Sequence, residues 1–273
     1  MTEHSLRVAL VLFGQPRFVE NKTPGWSHRF ALRRYRTEIF GHYWFDDSDH
    51  VLEAAPWSGL SKLKQNPNTM GILNKRYPGA SLANDPPRVF ETNQALRAKV
   101  LGLGNPSETL NIKLANFPNT ASHIFSLSSA LAKARERHLA EPFDFVVVSR
   151  FDALILSLPN LTKLQRGSLY LSDEHDRFPD MIMFGSPENI FAIDAWSLIE
   201  QNEVGPDELV AEDLKRKAYL SVFGQKTVIQ IRALSKPLRR DTYSYAASLA
   251  LRTYVADFRW RFSKRVYDWI RKL

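Results

Sequence analysis

The chain has 273 residues, 44% of them hydrophobic and 24% charged, which suits one large α/β domain or two small ones. It contains no cysteine, so disulfides and thiolate metal sites are excluded. No stretch approaches the roughly eighteen apolar residues of a membrane span, and the N-terminus lacks the basic start of a signal peptide. A cytoplasmic protein, soluble or peripheral at a membrane, is therefore expected. The net charge of +8 is uneven: residues 252–273 carry seven basic residues against two acidic ones. Basicity concentrated in a tail does not mark the whole chain as a nucleic-acid binder.

In chain order, RVALVLF (7–13) reads as a buried parallel strand closed by Gly14, Gln15 and Pro16. Mixed basic and apolar residues from Ser27 to Glu38 suggest a helix, and IFGHYWF (39–45) a second strand ending in acidic residues. The proline-studded stretch from about 56 to 118 predicts loops and short helices. A helix capped at Asn119 or Thr120 then places Ile124, Leu127, Leu131 and Ala134 on one face, and Glu141-Pro142 ends it. FDFVVVSRFDAL (143–154) follows as a buried strand that ends in Arg150 and Asp152.

SLYLS (168–172) reads as a further strand. PDMIMFGSPENIFAI (179–193) reads as a strand, a turn at Gly185-Ser186-Pro187 and a helix start. A polar helix near 206–220 and a strand at 226–233 complete a domain of residues 1–240. Helix followed by buried strand is half of a doubly wound unit. The expected fold class is therefore α/β, with a Rossmann-type, mostly parallel central sheet flanked by helices. Residues 241–273 are expected to form a helical C-terminal extension, in which the apolar residues of 248–273 would share one face of a basic amphipathic helix. Such a helix either lies on an anionic membrane surface or packs on protein.

The chain has no GxxxxGK[ST], GxGxxG, HExxH or GxSxG signature. What remains is a set of polar strand ends, where open α/β sheets bind their ligands. Gly14 permits close backbone approach there, and Arg17 offers a planar fork to a phosphate. Asp152, alone or with a second carboxylate from Asp173, Asp176 or Asp180, could hold a divalent cation such as Mn2+ or Mg2+. Arg150 could instead offset diphosphate charge directly, or simply pair with Asp152.

Taken in order, VALVLFGQPRF, FGHYWF, SHIFSLSSALAKA, FDFVVVSRFDALI and PDMIMFGSPENI resemble a group of bacterial and viral glycosyltransferase-like proteins. These are similar to the GT-A nucleotide-sugar transferases. The resemblance covers roughly residues 6–235. It implies a GT-A-like fold and transfer of a sugar from a nucleoside-diphosphate donor to a glycan or lipid-linked acceptor hydroxyl. On this resemblance Gly14, Gln15, Arg17, Arg150 and Asp152 hold the nucleotide sugar, and Asp152 faces any metal. The resembled group has a strand ending R-x-D, and where the usual GT-A signature is D-x-D this chain has S-R-F-D, which replaces the first carboxylate by a cation. Asp180 is the expected catalytic base among the later carboxylates, with Glu208 a further candidate, while Glu212 and Asp213 read as a solvated helix face. The alternative is a non-catalytic nucleotide- or sugar-binding protein on the same scaffold.

Overall fold

The computed structural model describes residues 6–17, 19–46, 51–53, 62–92, 94–102, 104, 106–155, 158–171, 178, 182–224, 228–230 and 235–237. The elements are β1 (Arg7–Phe13), α1 (Thr23–Leu32), β2 (Arg36–Trp44), β3 (Val51–Glu53), β4 (Lys62–Lys64), α2 (Thr69–Arg76), β5 (Ser81–Asp85), α3 (Gln94–Leu101) and α4 (Glu108–Ala140). They continue with β6 (Phe145–Arg150), β7 (Ala153–Ile155), β8 (Leu169–Leu171), β9 (Ile182–Gly185), α5 (Pro187–Phe191), α6 (Trp196–Glu200), α7 (Ala211–Phe223), β10 (Val228–Gln230) and β11 (Ser235–Pro237). The main sheet has seven strands in the order β10-β8-β9-β6-β1-β2-β5. Only β9 runs against the rest, pairing antiparallel with both β6 and β8. The expected mostly parallel α/β architecture is observed. The extension at 241–273 lies outside the described residues.

β1 is central because both of its faces are apolar. Its side chains alternate across the sheet. Val8, Leu10 and Leu12 join a cluster with Leu32 of α1 and Leu73 of α2. Ala9, Val11 and Phe13 join another with Leu127, Leu131 and Ala134 of α4 and Tyr219 of α7. Helices thus cover both faces, which is why the strand reads as an unbroken hydrophobic run.

The proline-rich stretch is more regular than its sequence suggests. It supplies β5, a parallel edge strand beside β2, and the first part of α4, which starts at Glu108 and not near residue 119. Ser107 caps that helix, its hydroxyl oxygen accepting from the Leu110 amide at 3.2 Å. Pro118 sits inside the helix, where it has no N–H to give to the Leu114 carbonyl. The Thr92 hydroxyl donates to that carbonyl instead, at 3.5 Å. α1 also lies earlier than expected, at Thr23–Leu32, because the chain turns into β2 already at Arg36. The expected helix near 206–220 divides into a 3₁₀ turn, Pro206–Glu208, and α7.

At the N-terminal edge of the sheet, charged groups tie β1, β2 and α4 together. Arg7, only 7% exposed, donates through Nε to Glu38 at 3.1 Å and through Nη1 to the Glu141 carbonyl. Arg137 of α4 reaches the same Glu38 at 2.9 Å and Glu141 at 2.7 Å. Burial alone would raise the Glu38 pKa, but hydrogen bonds from Arg7 and Arg137 outweigh it and hold the carboxyl below its ordinary 4.5.

Two outcomes follow. A Cβ on Gly41 would lie 2.9 Å from Leu82 and Phe151 side-chain atoms and 3.0 Å from the Leu12 carbonyl oxygen. Gly41→Ala should therefore lower stability by about 1–3 kcal/mol in urea denaturation. Because the folded pKa of Glu38 is depressed, its contribution is present above the unfolded value and lost as pH falls through the folded one. The stability difference between wild type and Glu38→Gln should thus be full at neutral pH and shrink below pH 4.5.

Candidate functional site

The strand order reverses at β1: the chain goes from β1 outward to β2 and β5, then returns to place β6 on the other side. Ligands of open α/β sheets bind at such a point, beyond the carboxyl ends of the strands. The register puts these ends level, with Phe13 of β1 opposite both His42 of β2 and Arg150 of β6. Gly14, Gln15 and Arg17 leave β1 here, and Asp152 follows β6. Sequence-distant candidates are thus brought to one end of the sheet.

Gly14 adopts φ +87°, a conformation that side chains with a Cβ rarely take. Its amide donates to the Ser126 hydroxyl oxygen on α4 at 2.8 Å. A tight turn follows, with the Arg17 amide donating to the Gln15 carbonyl at 2.8 Å. It directs the Arg17 side chain back toward β6.

Arg150 grips Asp152 with two parallel bonds, Nε to Oδ1 and Nη2 to Oδ2, both 2.8 Å. Asp152 is 3% exposed. Phe151 between them points to the opposite side, into the cluster with Tyr43. Arg17 approaches the same carboxylate, its Nη1 lying 3.7 Å from Oδ2. Its buried Nε has no hydrogen-bond partner among the described residues. Burial pulls the Arg17 pKa below the ordinary guanidinium value; Asp152 opposes that effect and Arg150 adds to it. Two guanidinium groups therefore converge on one largely buried carboxylate.

Among the described residues, the groups around the Asp152 carboxylate are cations. Both Asp152 oxygens are engaged by Arg150, and the next charged group is a second arginine. Among the described residues no group of three or more His, Asp or Glu side chains could hold a metal ion. Asp173, Asp176 and the expected base Asp180 lie outside the described residues. Of the other carboxylates, Glu208 has a structural task. It accepts from the Gly205 amide at 2.7 Å and pairs with Lys217 at 3.4 Å, closing the turn before α7.

Sequence reading did not find the polar chain beneath the glycine turn. Ser126 also donates, its hydroxyl lying 3.0 Å from both the His42 carbonyl and His42 Nδ1, while Nε2 meets Asp85 Oδ2 at 3.1 Å. The series Ser126–His42–Asp85 has the connectivity of a nucleophile, base and acid. Ser126, however, is fully buried and committed to the Gly14 amide, so it positions the turn. The one signal in the sequence was a serine on the buried stripe of α4.

His42 and Trp44 pack as anticipated, 2% and 6% exposed. Trp44 stacks on Phe125 with centroids 5.4 Å apart, and both belong to an aromatic group with Phe90 and Trp196 that Arg88 covers. No protein-family model and no curated protein of known function matches this chain.

Burial lowers the His42 pKa, whereas the hydrogen bond and charge of Asp85 raise it. The His42 ring should therefore titrate below 6.5 when followed by NMR. Asp85→Asn should move the midpoint further down.

Proposed function

We propose that the chain is a GT-A-like glycosyltransferase that uses a nucleoside-diphosphate sugar and neutralises the leaving diphosphate with arginine. The observation that carries this reading is the meeting of Arg17 and Arg150 at the topological switch point, beside a glycine turn that lets a ligand approach the backbone. Sugar transfer from such a donor builds negative charge on the leaving diphosphate, and preorganised cations there lower the barrier. A guanidinium supplies two parallel donors to phosphate oxygens, and Arg17 Nε is buried with a hydrogen left to give. Asp152 holds Arg150 in one orientation, so its task is to position that cation. Asp180 is the proposed base for the acceptor hydroxyl, which is expected to be that of a glycan or lipid-linked saccharide.

The test is a thermal-shift and calorimetric panel of nucleoside diphosphates and their sugars, with chelator and with added Mg2+ or Mn2+. At least one diphosphate should bind in the presence of chelator. Arg17→Gln should weaken it by about 1.5–3 kcal/mol, the worth of a hydrogen bond to a charged group, or roughly ten- to a hundredfold in Kd. Because Arg150→Gln alone would strand a buried carboxylate, the double variant Arg150→Gln/Asp152→Asn is the matching control for fold. Donor hydrolysis or transfer in the same samples separates an enzyme from a binding protein, and Asp180→Asn should abolish turnover while leaving donor affinity intact. Absence of binding by every diphosphate would sink the proposal.

A further inference from the structure

α1 has two contrasting faces. The inner one is fixed: Pro24, Gly25, Ser27, His28 and Leu32 are buried. Ser27 Oγ accepts from the Ile155 amide at 3.2 Å, and His28 Nδ1 lies 2.9 Å from the Tyr77 hydroxyl. The outer face carries Lys22, Trp26, Arg29, Phe30 and Arg33 at steps of three and four, all exposed. Trp26 is 50% and Phe30 38% exposed, and their rings stack at 5.0 Å. The Arg33 guanidinium lies 3.7 Å from the Phe30 centroid. From Asn21 to Thr37 the chain has five basic residues and no acidic one.

We propose that this face of α1 is a docking surface for an anionic lipid membrane. Its make-up is that of an interfacial helix face: an indole and a phenyl ring for the acyl boundary, flanked by cations for the headgroups. Charge decides against the other occupants. A second copy bound symmetrically through this face would set its arginines against their own equivalents. The chain's own segment 252–273 is strongly basic as well, so like charge disfavours it as the occupant. A nucleic-acid base would need an open ring face, whereas Phe30 already carries Trp26 and Arg33 on its ring. Trp26 lies in the first turn of the helix that follows the site's own loop.

The test uses the full chain and large vesicles of neutral phosphatidylcholine, with and without about a third of anionic phosphatidylserine. Wild type should pellet with the anionic vesicles only, and the bound fraction should fall several-fold when NaCl is raised from about 0.1 M to about 0.5 M. Trp26→Ala/Phe30→Ala should reduce partitioning at least tenfold with unchanged circular dichroism, since both rings are exposed. Arg29→Gln/Arg33→Gln should reduce it several-fold. As the chain has no cysteine, Lys22→Cys gives a single labelling site, and an environment-sensitive dye there should shift to the blue on binding. Vesicle binding that neither pair of substitutions changes would overturn the proposal. So would a failure to bind anionic vesicles, retention of an oligonucleotide in their place, or self-association abolished by Trp26→Ala/Phe30→Ala.

Discussion

Strand β1 is hydrogen-bonded along both edges and buried on both faces, so its position leaves almost no freedom to the elements around it. Its pairing with β2 and β6 sets Phe13 level with His42 and Arg150. The two apolar faces draw α1 and α2 to one side and α4 and α7 to the other. The loop that leaves β1 must then cross the ends of its neighbours, and Arg17 meets Asp152 as a result. The site is in this sense a consequence of where one strand stops.

The charge arrangements at the two ends of the sheet obey the same rule with different results. At the amino end, Arg7 and Arg137 share Glu38 and Glu141, and cations and carboxylates are interleaved. At the carboxyl end, Arg17 and Arg150 meet, among the described residues, at the carboxylate of Asp152. An interleaved cluster serves to hold elements together. A cluster in which one carboxylate orients two guanidinium groups presents donors, and anionic ligands are what such donors recognise.

β1 and β6 were legible because strands buried on both faces are apolar throughout. β5 was not: SLAND is an edge strand with exposed and half-buried residues, and only its hydrogen bonds to β2 make it part of the sheet. The early half of α4 was obscured by Pro118, whose cost is moderated by the Thr92 hydroxyl 26 positions upstream in the chain. The candidate site was legible as a set of strand ends, and Gly14, Arg17, Arg150 and Asp152 do gather at one place. Which group Asp152 would face was not, because the orientation of Arg17 depends on the turn at Gly14. The link from Ser126 to His42 to Asp85 spans separations of 84 and 43 residues, and no local pattern reveals it.

Pro118 interrupts the longest helix, and the helix is anchored in two clusters that change over between Ile124 and Leu127. Upstream and just past the proline, Phe117, Ala121 and Ile124 belong to a cluster built with α3, α6 and α7. Leu127, Ala130, Leu131 and Ala134 belong to the sheet. A helix missing one rung of its ladder is weakest there, so fraying from Ser107 can stop at the break. The outer segment can then open as a local unit while Ser126 and the glycine turn it supports stay folded. Opening at the start of α4 is in this way decoupled from the turn at Gly14 that Ser126 supports.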